Sequence, residues 1–141
     1  MSCLMRIALV ALVCAAAPST LAAEAAAVHG KPAHVEAVPG SSLKKVVLTQ
    51  KAAERLDIRT GEVREDPAGR RIVPYAAVVY DLSGITWVYT NPEPLTFIRQ
   101  QVKLDQIKNE NAFLVEGPAV GTRILTLGVP QIYGAEMGVG H

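Results

Sequence analysis

From Arg71 onward the chain alternates apolar and polar positions with a period of two, the spacing of half-buried strands. Ile72-Val73 and the stretch from Ala76 to Tyr80 form a β-rich run interrupted by Pro74. A proline cannot donate to a ladder, so it marks an edge, a bulge or a kink. Asp81-Leu-Ser-Gly84 reads as a hairpin loop, followed by Ile85-Thr-Trp-Val-Tyr-Thr90 with β-branched or aromatic residues at every position. On that strand Ile85, Trp87 and Tyr89 share one face and Thr86, Val88 and Thr90 the other. Asn91-Pro-Glu-Pro94 turns the chain into a strand from Leu95 to Leu104, where Phe97, Arg99 and Gln101 lie opposite Ile98, Gln100 and Val102. Asn109-Glu-Asn111 turns it again. Ala112 to Val115 and Thr122 to Leu127 are two further short strands, the second closed by Gly128. Short strands with turn residues between them predict a mainly β fold, a small antiparallel β-roll or barrel-like domain. The tail from Val129 to His141 is expected to be a short turn or helical piece followed by a loose end.

The first half carries less pattern. Leu48-Thr-Gln-Lys-Ala-Ala-Glu-Arg-Leu56 predicts one short N-terminal helix, with Thr49 as N-cap and Leu48 placed to staple onto Ala53. Ile58 to Val63 alternates weakly as a strand, and Asp66-Pro-Ala-Gly69 is a turn with Pro where φ is pre-set and Gly late. Ahead of the helix, residues 24–46 sustain neither a helical nor an alternating pattern and are expected to be a flexible, extended lead-in. Residues 1–23 read as a secretory signal peptide: Arg6, an apolar run over 7–17, then small residues through Ala22 and Ala23. The apolar run falls short of the roughly 20 residues of a membrane-spanning helix. The expected organisation is therefore signal peptide 1–23, lead-in 24–46, β domain 47–136 and flexible tail 137–141, exported to the periplasm with no transmembrane helix in the mature chain.

Composition narrows the chemistry. Lys plus Arg number 14 and Asp plus Glu 13, a balance that excludes the basic excess of a nucleic-acid binder and leaves no long-range field to steer a charged partner. Both cysteines, Cys3 and Cys14, fall in the leader, so the exported part offers neither a disulfide nor a thiolate metal site. Cys14 follows an apolar run as a lipidated cysteine would, but Val13 before it is larger than lipoprotein processing usually accepts.

The exported part has no cysteine nucleophile, Gly-x-Ser-x-Gly elbow, Gly-rich phosphate loop or paired-histidine helix, so the chain is read as a non-enzyme. Asp81 and Glu116 are conceivable as a carboxylate pair, yet each sits in a turn beside Gly or Pro, and turn chemistry accounts for them. His29, His34 and Glu36 have the donor types for Cu(II), Ni(II) or Zn(II), with Met137 and His141 as weaker additions. Pro32 between the two histidines rules out one helical face, so the alternative is solvated tail residues. Trp87, Tyr89, Phe97 and Tyr80 are expected to supply much of the core of so small a domain. Tyr133 beside Gly134 is a candidate exposed docking residue.

Two stretches go beyond periodicity. Val46-Val-Leu-Thr-Gln-Lys-Ala-Ala-Glu-Arg-Leu-Asp-Ile-Arg-Thr60 resembles the segment leading into the first strand of periplasmic adaptors, the membrane fusion proteins of heavy-metal efflux systems. Val73-Pro-Tyr-Ala-Ala-Val-Val-Tyr-Asp-Leu-Ser-Gly-Ile-Thr-Trp-Val-Tyr89 resembles the start of the same family's C-terminal membrane-proximal domain, and Leu95 to Val102 and Gly121 to Gly128 continue it in order. The resemblance implies a partner role between an inner-membrane pump of the resistance-nodulation-division (RND) type and an outer-membrane channel. Between the two matching stretches a complete adaptor carries two lipoyl halves, a helical hairpin and a barrel, and here Arg64 to Ile72 fill that place. The resemblance thus implies a membrane-proximal domain joined directly to its own N-terminal strand, Ile58 to Val63, which should pair with the C-terminal sheet. Its expected function is transmembrane heavy-metal efflux, through binding an RND-type pump or a full-length adaptor without a cofactor. The alternative is a small periplasmic metal-binding carrier that holds a Cu or Zn ion with its N-terminal histidines.

Overall fold

The computed structural model describes residues 31–139; the signal-peptide assignment, the cysteines, His29 and His141 lie outside them. Strands dominate: β1 (Ala33–Ala37), β2 (Lys44–Leu48), β3 (Arg59–Glu62), β4 (Arg64–Glu65), β5 (Arg71–Pro74), β6 (Val79–Tyr80), β7 (Thr86–Glu93), β8 (Thr96–Lys108), β9 (Asn111–Glu116) and β10 (Arg123–Leu127). Helix α1 (Gln50–Arg55) lies between β2 and β3, a 3₁₀ turn (Tyr75–Ala77) follows Pro74, and helix α2 (Val129–Met137) follows β10.

All pairings are antiparallel, in the order β3-β10-β7-β8-β9-β5-β4. Because β3 and β4 are consecutive pieces of one strand, parted only by Val63, the two ends of that order meet and the sheet is a nearly closed barrel. Val63 bridges the break by donating to the Thr122 carbonyl at 3.0 Å and accepting from Gly121 at 2.8 Å. The pairing of Gly61 with Ile124 joins the N-terminal strand to the C-terminal sheet, the pairing expected of Ile58 to Val63. At the turn between β4 and β5, Asp66 Oδ1 accepts from the amides of Ala68 (2.9 Å) and Arg70 (2.8 Å), and Gly69 takes φ +79°.

The alternation along each strand sorts residues into two cores. Val63, Val73, Val88, Val102, Leu114 and Ile124 point into the barrel. The neighbours of Val88 and Ile124, Tyr89 and Leu125, point outward and pack with Phe97 under a second layer built from β1, β2, α1 and α2. Thr49 caps α1 by accepting from the Ala52 amide at 3.2 Å, and Leu48 packs in one cluster with Ala53, as a hydrophobic staple requires. Helix α2 lays Val129, Ile132 and Glu136 on this layer, positions three and four apart and therefore on one face.

The structure revises several expectations. The range 24–46 contains β1 and most of β2, a hairpin in which Glu36 faces Lys45 and Val46 and Leu48 are buried. Pro39-Gly40 belongs to its loop, and the Lys44-Lys45 pair masks the alternation of β2. The strand β7 runs on through Asn91-Pro-Glu, because the Asn91 side chain donates to the carbonyls of Glu93 and Thr96; the reversal is at Pro94-Leu95, where Leu95 adopts φ +60°. Met137, assigned to the tail, is the last residue of α2. Leu56, the last residue of the expected helix, is instead its C-cap, where the chain leaves the helix, and is partly exposed.

Candidate interaction surface

The loop between β6 and β7 is tied down by hydrogen bonds for a reason visible in its sequence. Asp81 heads an Asx turn: Oδ1 accepts from the amides of Ser83 (2.8 Å) and Ile85 (3.0 Å), and Oδ2 accepts from the Trp87 indole N–H at 3.0 Å. Gly84 supplies the φ of +76° that the reversal needs. The Trp87 hydrogen bond, followed by the two backbone amides and the nearby Arg99 cation, holds the Asp81 carboxyl below the usual carboxylate range. With its acceptors engaged in this way, Asp81 builds the loop. Glu116 is exposed and stands 3.8 Å from Lys103.

What this loop displays is Leu82, which is 104 % exposed. Tyr80 and Ile85 are exposed beside it, and both line a groove that continues over Thr86 and Leu104 to Lys103 and Glu116. The walls of the groove mix polar and apolar groups, whereas the Leu82 knob next to it is wholly apolar.

Trp87 does not join the core that the aromatic count suggests. Tyr89 and Phe97 are buried, whereas Trp87 is half-buried and Tyr80 lies outside. The indole stacks instead under Arg99, whose guanidinium carbon sits 4.5 Å from the ring centre. Arg99 continues to Glu136 of α2, with Nε 3.0 Å from Oε1. The N–H is not aimed at that oxygen, so Coulomb attraction and not a directed hydrogen bond joins them. The other carboxylate oxygen accepts from the Tyr89 hydroxyl at 2.5 Å. The Glu136 side chain is 1 % exposed. Burial first, then the Glu136 carboxylate, pushes the Tyr89 phenol far up. Tyr133 is half-buried against the same outer cluster and not free as a docking residue.

The proposed metal donors meet only in part. His34 and Glu36 project from one face of β1, with His34 Nε2 3.3 Å from Glu36 Oε1. Lys45, opposite Glu36 in the ladder, places its ammonium 2.7 Å from the other oxygen and holds the Glu36 carboxyl below its ordinary range. Among the described residues no three His, Cys, Asp or Glu side chains converge as a metal site, and no helix is long and apolar enough to cross a membrane. No protein-family model, curated protein or solved structure matches the chain.

Proposed function

We propose that this chain is an exported, non-enzymatic binding domain that resembles the membrane-proximal part of an RND-type heavy-metal efflux adaptor. It works in the periplasm by docking on the pump or on a full-length adaptor. The observation that carries this reading is Leu82, held wholly in solvent by a loop whose polar contacts stiffen it. A large apolar side chain displayed on a pre-ordered loop loses little conformational freedom on binding, the property of an interface anchor. The β4–β5 hairpin supports the adaptor resemblance. Arg64 pairs with Ile72, so the chain leaves and re-enters the barrel at adjacent positions where a complete adaptor carries its lipoyl, hairpin and barrel parts.

The test is capture. The tagged full chain and its Leu82→Asp variant are expressed beside an RND-type pump and its adaptor and purified from detergent-solubilised membranes. The parent is expected to retain pump or adaptor, and the variant to lose it by about thirtyfold or more, as for an interface anchor. Exposed as it is, Leu82→Asp should leave the urea midpoint equivalent to within about 0.5 kcal/mol. Repeated recovery of neither protein, or equal recovery by both chains, overturns the proposal.

A further inference from the structure

We propose that Glu136 and Arg99 are positioning residues for the Leu82 loop, so that the C-terminal helix sets the geometry of a binding surface at the other end of a four-residue relay. The links are consecutive. Glu136 on α2 holds the Arg99 guanidinium at 3.0 Å, Arg99 lies over the Trp87 ring at 4.5 Å, and the Trp87 indole N–H holds Asp81 at 3.0 Å. Asp81 then fixes the amides of Ser83 and Ile85, which flank the turn behind Leu82.

The sheet register explains why these four meet. Tyr89 is directly opposite Arg99 and Trp87 opposite Gln101, so Arg99 is the diagonal neighbour of Trp87 on the outer face, within reach of a long side chain. A free arginine has many rotamers, and few lie flat on the indole. Glu136 selects such a rotamer, and Tyr89, hydrogen-bonded to the other carboxylate oxygen, fixes Glu136 in turn. Lys44 of β2 reaches the Glu136 carbonyl at 3.5 Å and ties the end of α2 to the same layer.

A second Asx turn in the molecule has no link to α2 and serves as the comparison. Asp66 makes the same kind of paired amide contacts, but its outer oxygen is held by Arg70, four residues on and in the same hairpin, at 2.8 Å. Arg70 in turn lies over the Phe113 ring at 4.7 Å and stands 3.8 Å from Asp105, so that turn is braced by β8 and β9 and not by α2. The Asp81 turn is instead held by a side chain from β7 that is itself covered by Arg99 of β8 and, through it, tied to α2.

The coupling is tested on the whole chain without any partner; only its consequence for binding rests on the proposed function. Amide exchange is followed by NMR at Ser83 and Ile85, with Ala68 and Arg70 as the internal control, and the emission of Trp87, the single tryptophan of the chain, is recorded alongside. In Glu136→Gln, exchange at Ser83 and Ile85 is expected to accelerate about tenfold, the scale of one lost charge-assisted contact. Ala68 and Arg70 should be unchanged, and the Trp87 emission should move to the red. Arg99→Lys, which keeps the charge but loses the planar stack, is expected to do the same and decides the matter if the first variant does not fold. Unchanged exchange at Ser83 and Ile85, or equal acceleration at all four amides, overturns the relay. A relay that responds while membrane capture fails removes the proposed partner and leaves the coupling standing.

Discussion

Replacing Glu136 by alanine should be among the most costly single changes in this chain. The variant strands two groups at once: the Arg99 cation, paired with the Glu136 carboxylate at 3.0 Å, and the Tyr89 hydroxyl, which donates to its other oxygen at 2.5 Å. Removing one partner of a buried ion pair costs about 3–5 kcal/mol, and an orphaned buried hydroxyl about 1–3 kcal/mol; the two overlap and do not add. The Arg99 side chain keeps 19 % of its surface in water, so the stranded charge is partly solvated and the lower end applies, about 3 kcal/mol. A domain of this size has a total stability on the order of 5–15 kcal/mol, so the loss is large. Urea denaturation followed by far-UV circular dichroism measures it as a fall in midpoint at constant slope. The double variant Glu136→Leu with Arg99→Met, which replaces the pair by apolar groups, should recover most of the stability. A loss below about 1 kcal/mol for Glu136→Ala would refute the reasoning, because it would mean that α2 does not seat its carboxylate in the outer core.

Two further outcomes are expected. The raised Tyr89 pKa gives stability that is complete below the unfolded tyrosine value near 10 and is lost as pH climbs above it, since the unfolded chain ionises there and the folded one does not. Urea midpoints between about pH 9 and 11.5, the range that brackets tyrosine ionisation, should therefore fall more steeply for the parent than for Tyr89→Phe, and parallel curves would reject the assignment. Gly128→Ala should destabilise by about 1–3 kcal/mol, because Gly128 holds φ +88° and an added Cβ would run into the Ile58 side chain. A change in thermal midpoint too small to resolve would show that α2 can start without that conformation.

The sequence declares most of the barrel and little of what is built on it. Strands β5 to β10 are legible because each runs through β-branched or aromatic residues between turn residues, and α1 because Thr49 and Leu48 are a cap and a staple. The β1–β2 hairpin is not, since many of its residues face solvent and Pro39-Gly40 reads equally well as linker. Glu136 is illegible for a different reason. A lone glutamate after Gly134 in a short terminal segment looks like tail, and its partners Tyr89 and Arg99 lie on two other strands far earlier in the chain. The available signal is positional: Ile132 and Glu136 are four apart, and the strand faces read from the pattern already place Tyr89 and Arg99 on adjoining strands. Trp87 misleads because ring size argues for the core, whereas the polar edge of its indole is what Asp81 uses.

The 13-residue strand β8 has a consequence for how the molecule comes apart. Its first residues pair with β2 on the outer layer and with β7, and its last with β9 of the barrel. Along it Phe97 belongs to one core and Val102 to the other. A protein whose two cores share a backbone in this way has no seam between them. Fraying of the outer layer pulls on hydrogen bonds of the barrel wall, and loss of the wall removes the floor on which α1 and α2 rest. The two cores are therefore expected to melt as one cooperative unit, with the outer layer not shed as an independent subdomain.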